Sequence, residues 1–117
     1  SVPRSVIVKI LDAYVRGLIV KEAIEDVMKE LTLNPAETVE SVIRKLGFER
    51  ISEEELVKII KQKIIEHRDL LEKLGERAEA TLVGIVMKDV RGKIEGELVV
   101  KKVRELLQKN VDSYLQH

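Results

Sequence analysis

The chain has 117 residues, 21 Lys plus Arg against 21 Asp plus Glu, two His and no Cys, so formal charge cancels while 36% of positions remain charged. A 44% hydrophobic share with six Gly and two Pro describes one core-forming domain, or two small lobes sharing a core, and excludes a disordered or low-complexity chain. The absent Cys rules out a disulfide frame or thiolate metal site, and no apolar run approaches the ~20 residues of a membrane span.

The first periodic segment places Val6, Ile7, Ile10, Leu11, Tyr14 and Leu18 at helical spacing, predicting a helix from about Arg4 to Arg16 that buries this face and is ended by Gly17. Ala23, Ile24, Val27, Met28 and Leu31 repeat the pattern opposite Glu22, Glu25, Asp26 and Lys29, which predicts a second amphipathic helix. At Asn34-Pro35-Ala36-Glu37 the Asn side chain suits an N-cap, Pro has no amide to leave unsatisfied and Glu37 suits a capping box, so a third helix is expected to start there. Its apolar face is Val39, Val42, Ile43 and Leu46, with Gly47 as a left-handed stop and Phe48 folding back. Ser52-Glu53-Glu54-Glu55 is a second capping box that starts a fourth helix at Glu53. Leu56, Ile59, Ile60 and Ile64 carry its stripe toward a break near His67, and Leu70, Leu71 and Leu74 add a further turn or two closed by Gly75.

From Leu82 to Val103 the periodicity leaves two readings open. LVGIVMKDV and IEGELVV flanking Arg91-Gly92-Lys93 read as two strands of a hairpin, yet Ala78, Leu82, Val86 and Val90, then Val99, Val103, Leu106 and Leu107, line up as helices. The tail from Asn110 to His117 has no clear signal and reads as a frayed helix end.

Leu82-Val83-Gly84-x-Val86-Met87-Lys88-x-x-x-Gly92-Lys93, preceded by Gly75-Glu76-Arg77-Ala78 and by Leu46-Gly47-Phe48 with Ile51-Ser52, resembles a known pattern. It is similar to the tail domain shared by the B and E subunits of tRNA-dependent amidotransferases and by free-standing YqeY proteins. B-type tails usually continue after Gly-Lys with Ala-Asn-Pro. This chain has Ile94-Glu95-Gly96 and carries Arg91 before the glycine, which resembles the archaeal E subunit of the Glu-tRNA(Gln) enzyme.

The resemblance implies an all-α fold, a GatB/YqeY-like tail of two small helical lobes, divided here as residues 1–67 and a YqeY-like lobe 68–117. It turns Arg91 to Gly96 into a link between two helices, with Gly84, Gly92 and Gly96 as structural turn residues. It also implies a parent enzyme that uses ATP and Mg to convert Glu-tRNA(Gln) to Gln-tRNA(Gln), with ammonia from a partner subunit and tRNA(Gln) gripped near its D-loop. The first residue is Ser, so the chain reads as a piece of a longer cytoplasmic protein.

No catalytic residue is expected in this chain. It has no GxxxxGK[ST] loop, its glycines do not make GxGxxG, and no ATP, Mg or other cofactor site is visible. His67 and His117 lack partners at recognisable spacing, Ser52 reads as a cap, and Glu53, Glu54 and Glu55 point about 100° apart and cannot converge on a metal. Met28 and Met87 read as core fillers. Three aromatics, Tyr14, Phe48 and Tyr114, are too few for a platform that stacks unpaired bases.

A basic surface remains. Between Lys88 and Arg104, six cations face only Asp89, Glu95 and Glu97. Lys88 and Arg91 sit three apart with Lys93 next on the turn, a set suited to phosphates on folded RNA, and Lys101 and Lys102 extend it. Composition alone favours an ordinary solvated face; the resemblance favours tRNA and neither DNA nor a membrane. The rival readings are a protein-interaction tail and a free-standing YqeY-like protein.

Overall fold

The computed structural model describes the backbone of residues 1–115 and the side chains of residues 1–109. Over that range the chain is all-α: α1 (Arg4–Val15), α2 (Ile24–Leu33), α3 (Val39–Leu46), α4 (Glu53–Glu66), α5 (Arg68–Leu74), α6 (Ala78–Val90) and α7 (Gly96–Leu115), with 3-10 turns at Lys21–Ala23 and Gly75–Arg77. The hairpin alternative falls, because backbone bonds close within α6 and α7. Among the described residues no helix is long and apolar enough to cross a membrane. His117 and the Tyr114 side chain lie outside the described residues.

Two compact units emerge. Unit 1 comprises Ser1–Ile51 and Arg91–Glu95; unit 2 comprises Ser52–Val90 and α7. The boundary expected between residues 67 and 68 lies at the α4–α5 junction, and both of those helices belong to unit 2.

In unit 1, α1, α2 and α3 pack on one another around Val6, Ile10, Ala13, Ile19, Val20, Val27, Leu31, Val42 and Ile43, all buried, with Met28, Leu46 and Phe48 against them. The expected face of α1 is only partly the buried one. Val6 and Ile10 are buried and small Ala13 completes the seat, whereas Ile7, Leu11 and Tyr14 are exposed. The reason lies in the composition of the helix: with Val8 and Val15 also apolar, α1 carries two apolar sectors, and periodicity does not select between them.

The start of α3 also differs from expectation. The Asn34 amide N–H donates to the Glu30 carbonyl at 2.9 Å and its Nδ2 to Glu30 Oε1 at 3.0 Å, so Asn34 closes α2. Pro35 opens a turn, and the cap of α3 is Thr38, whose Oγ1 accepts from the Ser41 N–H at 3.0 Å. Glu37 pairs with Lys45 at 3.0 Å in place of closing a capping box. At the other end Gly47 is left-handed with φ 75, and the Phe48 N–H donates to the Ile43 carbonyl at 2.9 Å, which satisfies a terminal acceptor.

In unit 2 the buried stripe of α4 (Leu56, Ile60, Ile64) meets Leu82, Val86 and Val90 of α6 and Val99 and Val103 of α7, with Leu71 from α5. Ser52 caps α4, its Oγ accepting from the Glu55 N–H at 3.0 Å. His67 joins α4 to α5, its N–H donating to the Lys63 carbonyl at 3.0 Å while its own carbonyl accepts from Leu71 at 2.9 Å. Met87 is half-buried on α6. Thr38→Ala and Ser52→Ala are each expected to cost about 1 kcal/mol in urea unfolding. Asn34→Ala, at a helix end with an exposed side-chain bond, is expected to cost less than half of that.

Candidate nucleic-acid interface

The turn after α6 is anchored within unit 1. Gly92 has φ 81, a left-handed backbone that suits glycine, and a Cβ placed on it would lie 2.5 Å from Phe48 Cδ1. Ile94 is buried, the Ile51 N–H donates to the Lys93 carbonyl at 3.0 Å, and Glu95 accepts from the Arg50 guanidinium. Arg50 also donates to the Gly17 carbonyl at 3.2 Å. These contacts hold a five-residue segment on which Arg91 is exposed and Lys93 half-exposed. Gly96 is the first residue of α7. Gly84 departs from its expected place at a turn: it is inside α6, on an exposed stretch with nothing within 4 Å of a built Cβ. Helical bonds on either side of it override the weak local preference of glycine.

Unit 2 carries cations of its own. Lys88 is exposed on α6 and Lys101 is exposed on α7. Lys102, one position on, is half-buried and held by Glu53 at 2.9 Å and Glu105 at 3.1 Å. Those carboxylates raise the Lys102 pKa, the Glu53 bond first, and Lys102 in turn holds Glu53 below the ordinary carboxylate value. Arg104 donates through Nε and Nη2 to Glu79 Oε1 at 3.1 and 2.9 Å, which raises its pKa further.

The acids of the same stretch are also committed. Asp89 pairs with Lys63 at 3.2 Å and Glu95 with Arg50. Among the described residues Lys88, Arg91, Lys93 and Lys101 make no ion pair, although Lys101 lies near enough to Glu53 to help lower its pKa. Lys58 and Lys61, absent from the basic stretch expected from sequence, are exposed three positions apart on α4 and also make no ion pair with a described residue. Their signal was the i, i+3 spacing, masked by the acids at the start of the same helix.

Three carboxyls sit below their ordinary value of 4.5: Glu30 through its bond from Lys45, Glu53 through Lys102 and Glu66 through Gln62. A depressed folded pKa contributes stability that is present above the unfolded value and lost as pH falls through the folded one. The melting temperature is therefore expected to be flat near neutrality and to fall as pH drops below about 4.5. Because Glu53 and Glu66 are exposed, 1 M NaCl should shrink their part of the acid loss, and less so that of half-buried Glu30. A melting point unchanged between pH 5 and 3 would remove these pairs from the stability account.

A family model described as "GatB domain" matches residues 1–107. The chain is 36% identical over 111 residues to the E subunit of the glutamyl-tRNA(Gln) amidotransferase of Aeropyrum pernix, covering 92% of this chain and 17% of that protein. Against the same subunit of Methanosarcina acetivorans it is 36% identical over 97 residues, 83% of this chain and 15% of that protein. The Thermococcus sibiricus counterpart is 39% identical over 90 residues, 77% of this chain and 14% of that protein. The chain thus spans about one sixth of the length of the curated relatives it matches. No solved structure matches it at a significant level. An all-α chain matched over residues 1–107 belongs to the GatB/YqeY domain family.

Proposed function

We propose that this domain is the tRNA-binding tail of a glutamyl-tRNA(Gln) amidotransferase, touching the phosphate backbone of tRNA(Gln) with Lys88, Arg91, Lys93 and Lys101. The observation that supports it is the charge accounting of one stretch: Asp89 and Glu95 are satisfied by Lys63 and Arg50, which leaves those four cations unpaired among the described residues. Lys102, occupied by two carboxylates, is a weaker contributor and engages RNA only by exchanging them for phosphate. Contacts of this kind read shape and position, not bases, and need few aromatics. In the proposed parent enzyme, ATP and Mg serve catalytic domains outside this segment and a partner subunit supplies ammonia.

A formally neutral domain gains little long-range attraction, so the free domain binds weakly, and tethering to a body that holds the acceptor end makes the contact effective. Titration of labelled tRNA(Gln) at about 0.05 M and about 0.2 M salt tests this. Expected is weak, saturable binding that declines with a log–log slope of about −2 to −4; no binding at the lower salt would leave the tail without its proposed ligand. A protein-docking role has one specific observation in its favour, the exposed apolar sector of α1, and it is compatible with the RNA role.

A further inference from the structure

Of the large hydrophobic side chains exposed among the described residues, Ile7, Val8, Leu11, Tyr14 and Val15 all lie on α1, from 40% exposed at Ile7 to 82% at Val15. At about 100° per residue they fall within a sector of about 120°. The buried sector of Val6, Ile10 and Ala13 is separate from it, and Ser5, Lys9, Asp12 and Arg16 make up the polar remainder. A solvated helix needs one apolar sector, not two.

The five side chains together expose on the order of 500 Å², the scale of a functional patch and short of the ~800 Å² per partner of a stable free complex. A second copy of the chain fits poorly for a further reason. Arg4 lies within the stripe at its N-terminal end and makes no ion pair with a described residue. Parallel pairing of α1 with itself sets Arg4 against Arg4, like charge against like. In the antiparallel arrangement the stripe offers Arg4 no carboxylate, since Asp12 lies outside it and pairs with Arg16 at 3.2 Å.

A small face suffices when its partner is covalently tethered, because local concentration then reaches the millimolar range. The relatives are about six times longer than the matched segment, so most of their length lies outside it. We propose that the Ile7–Val15 stripe seats this domain on the body of such a longer chain, against an apolar face carrying a carboxylate opposite Arg4. The proposal rests on family membership and not on the tRNA reading, and its test contains no RNA.

The chain has no Cys, so Leu11→Cys and Val15→Cys place single probes on exposed positions without disturbing the core. Maleimide labelling, read by peptide mass spectrometry, is compared between the 117-residue chain and the full-length Aeropyrum pernix relative whose matched segment is replaced by this chain. Expected is labelling at both sites at least tenfold slower in the full-length protein, with most of the protection lost in an Arg4→Glu version. Less than tenfold slowing at either site overturns the proposal. So does slow labelling in the 117-residue chain that speeds up on dilution, since that identifies a second copy as the occupant. Failure of the replaced protein to fold in both the Aeropyrum pernix and Methanosarcina acetivorans relatives counts against the seat as well.

Discussion

Gly92→Ala is expected to destabilise the protein by about 2–5 kcal/mol, measured by urea unfolding, from two sources that add. The first is the backbone: φ is 81, and a side chain there costs about 1–2 kcal/mol. The second is space, because the new Cβ would meet Phe48 Cδ1 at 2.5 Å and Cε1 at 2.6 Å. Displacing a half-buried ring that packs against the unit 1 core costs about 1–3 kcal/mol. Gly47→Ala separates the two sources. Its φ is 75 and nothing lies within 4 Å of its built Cβ, so it should show the backbone penalty alone. In a Phe48→Ala background the cost of Gly92→Ala should fall toward the Gly47→Ala value. Equal costs for the two glycines would mean that the ring yields freely and that the anchor of the turn lies elsewhere, in Ile94 and the Ile51–Lys93 bond.

Lys88→Glu, Arg91→Glu and Lys93→Glu combined are expected to weaken tRNA(Gln) binding by about two to three decades at about 0.05 M salt. Each phosphate contact contributes about 0.7–0.9 to the salt slope, so the variant's log–log slope should be shallower by about 2 to 3. None of the three side chains takes part in an ion pair among the described residues, and all are exposed or half-exposed, so the fold should tolerate the change. Lys102→Gln supplies the contrast. It frees Glu53 and Glu105, so its cost falls on stability, while tRNA affinity is expected to change less than about threefold. Unchanged affinity in the triple variant would remove these residues from the interface and shift attention to Lys58 and Lys61 on α4.

Much of the architecture is local and therefore written in order along the chain. Ser52 with three following Glu marks the start of α4, and Gly47 with Phe48 marks the end of α3, because caps satisfy backbone groups using neighbours within a few residues. Asn34 shows the limit of such signals. Its side chain serves equally as acceptor for a following helix or donor to the preceding one, and Glu30, four residues back, takes it. The segments from Ala78 to Val103 satisfy strand and helix patterns alike, and only the likeness to a helical family broke the tie before the backbone bonds of α6 and α7 settled it.

Spacing, capping and composition are enough to mark the helices from α1 to α5, most of their ends and a stretch in which cations outnumber acids. Pairing and burial, by contrast, come from the folded chain: which apolar sector of α1 meets α2 and α3, and which cations stay unpaired among the described residues after Glu53, Glu79 and Glu105 take Lys102 and Arg104. Many of those outcomes depend on residues far apart along the chain, for example Arg104 with Glu79 at a separation of 25 positions and Arg50 with Glu95 at 45, and no local pattern encodes a distance of that kind.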